Sequence, residues 1–227
     1  MSGKKLAQHR GELSLAMIAE GINAARANAR RLLDDAKTLQ DAGRTHSAVA
    51  LAILSIEESG KISILRQMVL CESEAEWRQA WKDYRSHTSK NTAWILGELA
   101  AKGATTLDAL RPIADPASDH PHILDNLKQL CLYTDCVNNS KWTSPAAVEV
   151  AELAQHLLLV AKAFVTGVKV TEKELQLWRH HVLPTKHGTF EENKRAVANW
   201  FADMRANGLS AAPEEKVEAF LRSAEVH

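Results

Sequence analysis

Long hydrophobic runs are missing from this chain. The most apolar candidate, Leu157 to Val165, is broken by Lys162 and falls far short of the roughly 18 residues needed to cross a bilayer. The N-terminal stretch Met1 to Arg10 has no apolar segment of the kind a secretory leader carries. The expectation is a soluble cytoplasmic protein. Cysteine is scarce: Cys71, Cys131 and Cys136 are an odd set with no C-x-x-C pair, which excludes a disulfide framework and a zinc knuckle and leaves reduced thiols. Glycine (10) and proline (6) are too few to punctuate a β-rich fold. Net charge is absent as well, with Lys plus Arg at 28 and Asp plus Glu at 28, so no global basic field argues for nucleic acid, although a local patch remains open.

What the chain has in abundance is Ala, Leu, Glu, Lys, Gln and Arg, the strong helix formers. With 45% hydrophobic residues it can build a proper core, and 227 residues suit one large domain or a domain with an appended helical piece. Apolar spacing predicts helices over about 12–40, 45–70, 73–101, 121–136, 145–165, 171–183, 190–206 and 214–224. Ser73 with Glu76, and Thr171 with Glu174, read as capping boxes. Ser144-Pro145 reads as an N-cap followed by proline at the first helical position. A short helix is expected at Thr106–Leu110, inside a long connection. No strand pattern stands out. The fold expected is an all-α bundle over residues 1–170, with a helical extension over 171–227 packed on it.

Three groups of residues carry candidate chemistry. The first is Ser55-Ile56-Glu57-Glu58-Ser59-Gly60-Lys61, at the end of the run Ala48 to Ile56, which is apolar on nearly every helical face. Charges one turn further along that helix are costly unless paired. A Glu57–Lys61 pair has the favourable i,i+4 order, and an intrahelical salt bridge is the plainest use of it. The second is Tyr84-Arg85-Ser86-His87-Thr88-Ser89-Lys90. Here His87 and Lys90 share a face with Trp94, and a histidine beside a lysine tends to stay neutral, as a general base requires. A partly exposed histidine on an amphipathic helix explains the pattern equally well. The third is Leu132-Tyr133-Thr134-Asp135, where Asp135 caps a helix, binds a cation or orients His87 across the bundle. The His-rich stretch Arg179-His180-His181 with Lys186-His187 lacks the i,i+4 histidine pair with a carboxylate of a zinc helix and reads as a solvated turn. Neither a metal nor a cofactor is expected.

Taken in order, these groups resemble the AbiV family of bacterial abortive-infection proteins. The resemblance rests on Gly43-x-x-x-x-Ala48 with Ile56-Glu57-Glu58-Ser59-Gly60-Lys61, then Tyr84-x-x-His87-x-x-Lys90, then Leu132-Tyr133-x-Asp135 with Trp142-x-x-Pro145, over roughly residues 15–165. It implies a HEPN-like helical bundle, a homodimer, and a cytoplasmic role in blocking phage multiplication, with RNA or a phage or host protein as the target. HEPN ribonucleases generally use Arg-x(4–6)-His. The only such spacing here is Arg222-x-x-x-x-His227, at the extreme C-terminus.

Two functions follow from that resemblance. In an enzyme, Glu57, Glu58, Lys61, His87, Lys90, Tyr133 and Asp135 would form one interior cluster, with His87 as acid/base and Lys61 or Lys90 holding a phosphate. In a non-catalytic binding or dimerisation module, the same charges would only fix helix register.

Overall fold

The computed structural model describes residues 7–95, 99, 102–114, 119–137 and 140–222. Two long antiparallel helices form its frame. Helix α1 (Leu15–Asp41) starts at Ser14, whose hydroxyl accepts from the Met17 N–H at 3.2 Å. Its buried stripe, including Ile18, Ile22, Ala25, Ala29 and Leu33, follows the i, i+3/i+4 spacing of one helical face. The turn out of α1 needs a left-handed residue, which Gly43 supplies at φ 71°.

Helix α2 (Thr45–Met68) is the centre of the molecule. Ala48, Val49, Ala50, Ala52 and Ile53 have no solvent exposure and only Leu51 and Leu54 are partly exposed, so the run Ala48 to Ile56 is buried on most of its faces. Its one polar interruption, Ser55, is satisfied by donating its Oγ–H to the Ala29 carbonyl of α1 at 2.7 Å. Around α2 stand α3 (Glu74–Arg85), α4 (His87–Lys90), α5 (His120–Leu132) and α6 (Ala151–Phe164). One apolar core joins α1, α2, α5 and α6, and a second joins the other ends of α1 and α2 to α3 and α7 (Glu172–Val182).

Of the C-terminal helices α7, α8 (Phe190–Ala206) and α9 (Glu214–Leu221), α7 packs on this frame through polar links as well as apolar ones, and α9 packs on α8. Asn23 of α1 pairs twice with the Val170 backbone, at 2.8 and 2.9 Å. Arg66 of α2 binds the buried Glu174 carboxylate and lies over the rings of Trp178 and Trp200. Lys186 reaches Glu72 at 3.0 Å, Glu76 at 2.9 Å and the Leu70 carbonyl at 3.1 Å.

Several elements differ from the sequence reading. The helix expected over 73–101 breaks at Ser86, which adopts extended backbone (φ −72°, ψ 132°), ends α3 and caps α4 by accepting from the Ser89 N–H at 3.2 Å. Serine side chains compete for backbone groups in this way. A 3₁₀ turn, Thr92–Ile95, follows, and the far end of the expected helix, with the Trp94 side chain, lies outside the described residues. The helix expected to reach Cys136 stops at Leu132, and a two-stranded antiparallel ribbon takes over, β1 (Asp135–Val137) with β2 (Lys141–Thr143). Strands of three residues are too short to show alternation. Pro145 opens a 3₁₀ turn rather than α6, and the connection expected to hold a helix at 106–110 forms a 3₁₀ stretch, Asp108–Ala114. The Ser73–Glu76 capping box forms in full; Thr171 accepts from Glu174 N–H at 3.2 Å, but the Glu174 carboxylate is taken by Arg66. His227, the end of the one Arg-x(4–6)-His spacing, is outside the described residues.

Candidate functional site

The site begins with a glycine. A Cβ on Gly60 would lie 2.0 Å from the Lys90 carbonyl oxygen, so only glycine lets the backbone of α4 rest directly on α2. Glu57 stands one turn before Gly60, and His87 one turn before Lys90. The close approach therefore sets Glu57 against His87. The break at Ser86 restarts the chain in the direction that makes this possible.

Glu57 is 2% exposed and is held from two sides. The Lys128 ammonium of α5 donates to Oε1 at 2.5 Å, and His87 Nδ1 meets Oε2 at 2.7 Å. Lys128 also donates to Asp125 Oδ1 at 2.7 Å, and its Nζ lies 3.3 Å from His87 Nδ1. A carboxylate bound to a buried ammonium is an acceptor, so the proton in the short His87–Glu57 contact belongs to Nδ1. In the neutral ring the lone pair is then on Nε2. His87 keeps 54% of its side chain exposed, whereas Glu57 keeps 3% and Lys128 4%. The result is a solvent-facing imidazole of fixed tautomer, oriented by a buried carboxylate that a buried ammonium neutralises. Such a group can take a proton at Nε2 and return it.

Burial works against the Lys128 charge, but its bonds to Asp125 and Glu57 outweigh that penalty and raise its pKa above the ordinary lysine value. Lys90 is 7% exposed, and its ammonium makes no hydrogen bond or ion pair with a described residue. Burial lowers its pKa, the Glu57 and Glu58 charges partly oppose this, and Lys61 and Lys128 add to it.

Of the residues singled out from the sequence, Glu57, His87 and Lys90 meet at this seam. Lys61 does not bind Glu57 as the i,i+4 order suggests. It pairs with Glu58 at 2.5 Å, one helical turn back, and its ammonium lies 5.2 Å from the centre of the Tyr84 ring. Glu57 is turned inward to Lys128 instead. Tyr133 and Asp135 are not interior. Tyr133 is 58% exposed at the end of α5, and the Asp135 carboxylate accepts from the Cys136 N–H at 2.7 Å on the exposed ribbon. Both line a cleft of about 690 Å³ with Asn126 and Gln129. At 100° per residue, Asn126, Gln129 and Tyr133 face away from Lys128, so the cleft is on the other side of α5. The His-rich stretch is not a solvated turn throughout: Arg179, His180 and His181 form the last turn of α7, and His181, with 15% of its side chain exposed, pairs with Asp203 of α8 at 2.7 Å.

Sequence reasoning missed Lys128 and Asp125. The signal was present: Lys128 lies four residues after Leu124 and three before Cys131, both buried, so it falls in the apolar stripe of its helix. A lysine there demands a buried partner.

No helix among the described residues is long and apolar enough to cross a membrane. In comparisons with known proteins, no curated protein and no solved structure matches the chain. The model of one family, HEPN_AbiV (AbiV), matches residues 17–166, a span that holds Glu57, His87, Lys90 and Lys128. With about two thirds of its length so matched and a helical bundle as its fold, the chain belongs to the AbiV family of HEPN-like abortive-infection proteins.

Proposed function

We propose that this protein blocks phage multiplication by acid–base chemistry on RNA, with His87 as the proton-transferring group. The observation that carries this reading is the order Lys128–Glu57–His87, a buried ion pair that ends in a half-exposed imidazole with Nε2 free. In the proposed reaction, His87 Nε2 takes the proton of an RNA 2′-hydroxyl as that oxygen bonds to the adjacent phosphorus. The bond from phosphorus to the 5′ oxygen then breaks, and the imidazolium returns the proton to the departing oxygen. Glu57 steadies the imidazolium between those two events. Among the described lysines of this seam, Lys61 and Lys128 are already bound to carboxylates, so the largely buried Lys90 is the cation assigned to phosphate. The absence of a well-placed Arg-x(4–6)-His fits a site in which lysine does the work of that arginine. The working unit is a homodimer in the cytoplasm, as the HEPN resemblance implies.

The test is RNA integrity in infected cells expressing the wild type or His87→Ala. Wild type should yield fragments ending in a 2′,3′-cyclic phosphate, and His87→Ala should lose about 10²-fold or more of that cleavage. Identical fragmentation by both would refute the acid–base role.

A second reading is favoured by a different observation. Glu57, Lys128 and Asp125 saturate one another, and the cleft of about 690 Å³ lies away from His87. On that reading the network fixes the register of α2, α4 and α5, and defence comes from binding a phage or host protein. It predicts full protection by a folded His87→Ala protein.

A further inference from the structure

The Lys128 ammonium sits inside a set of metal-ligand atoms. Glu57, His87 and Asp125 each offer one donor atom, and the three atoms lie within 4.8 Å of one another. With the imidazole proton moved from Nδ1 to Nε2, one imidazole nitrogen and two carboxylate oxygens are a donor set suited to a borderline divalent ion such as Zn²⁺ or Co²⁺. The middle of that set is taken by Nζ, at 2.5 Å from Glu57, 2.7 Å from Asp125 and 3.3 Å from His87. Metal bonds to such ligands measure about 2.0–2.2 Å, so the cage has the dimensions of an ammonium rather than of a metal ion.

We propose that Lys128 is a built-in cation: it fills the position a divalent metal would take, and the pocket becomes a metal site once the ammonium is removed. Three further observations support this. Removing the ammonium leaves the buried Glu57 carboxylate and the partly exposed Asp125 carboxylate without their shared partner, and a divalent ion would offset both charges. A metal entering the wild type must expel a side chain that is 4% exposed and bonded to two carboxylates. The ligands on either side can draw in when the lysine is gone, since Asp125 (27%) and His87 (54%) both keep exposed side-chain surface. The cluster's charge stabilisation therefore needs no metal. This inference concerns only what occupies the cluster, and it stands whether or not His87 acts on RNA.

The experiment is titration of the purified full-length protein with Co²⁺, read by its visible absorption, and with Zn²⁺, read by calorimetry. Wild type should show no binding that depends on His87. Lys128→Ala should bind one ion per chain, and the double variant Lys128→Ala/His87→Ala should lose it, which separates this site from the surface histidines. Lys128→Ala leaves two carboxylates unbalanced and is expected to melt lower than wild type without metal. Zn²⁺ should restore its melting temperature and leave that of wild type unchanged. Lys128→Gln, which keeps the volume of the side chain, gives the same comparison in a second background. His87-dependent uptake of metal by the wild type would overturn the proposal. So would folded Lys128→Ala and Lys128→Gln proteins that bind none, or a failure of both to fold even with Zn²⁺.

Discussion

At the scale of single residues, the account turns on Gly60 and Lys128. Gly60→Ala drives a methyl group into the Lys90 carbonyl, a backbone atom that cannot swing aside. The expected cost is about 3 kcal/mol or more by denaturant unfolding, the upper end for overpacking, because α4 must lift from α2. A smaller loss, within about 0.5 kcal/mol, would mean that α4 rests less firmly there. This glycine is visible in the sequence as part of Glu57-Glu58-Ser59-Gly60-Lys61, but its reason is not, since the atom it makes room for belongs to Lys90. Lys128 is the reverse case. Nothing about its immediate neighbours marks it as functional, yet its position in the apolar stripe of α5 requires the partner that Glu57 provides. Tyr133 and Asp135, expected in the interior cluster, lie beyond the end of α5, Tyr133 as its exposed C-cap residue and Asp135 on the exposed ribbon.

At the scale of elements, the capping groups also act as anchors. Glu76 closes the box at the start of α3 and receives Lys186 from beyond α7. The Glu72 backbone N–H first, and then Lys186, hold its carboxyl at about 2, against an ordinary 4.5. A depressed carboxylate pKa contributes stability that is complete above the unfolded value and lost as pH falls. The contact should therefore weaken from pH 4.5 downward and be gone near 2. Melting curves across that interval should show an acid limb for wild type that is shallower in Glu76→Gln. Equal limbs would remove Glu76 from the account. Helix boundaries read from the sequence agree with the structure to within about three residues at α1, α2, α7 and α8, where turn or capping residues such as Gly43, Thr171 and Thr189 mark the ends. They failed where side-chain hydrogen bonds override periodicity, at Ser86, and where strands are only three residues long, at the ribbon.

At the scale of the whole molecule, the C-terminal helices are joined to the frame by Arg66 and Glu174, an ion pair with Trp178 and Trp200 stacked against it. Glu174→Gln leaves the Arg66 charge without its partner. It should cost about 2–3 kcal/mol, somewhat below the 3–5 typical of fully buried pairs, because Arg66 keeps 23% of its side chain exposed. Hydrogen exchange should show the loss concentrated in residues 172–206. Uniform loss across α1 and α2 would show that the link stabilises the frame itself. The all-α class and the family were legible from composition and from three short motifs in order. The link between Arg66 and Glu174 was not, because residues that far apart in sequence meet only through the packing of α7 on α1 and α2.

On the proposed function, His87, oriented by Glu57 and Lys128, is the working group of a defence protein. The most direct measurement is the efficiency of phage plaquing on cells expressing wild type or His87→Ala at equal levels, with circular dichroism confirming that the variant is folded. The account predicts that wild type suppresses plaques and that folded His87→Ala does not. Full protection by the folded variant would contradict it.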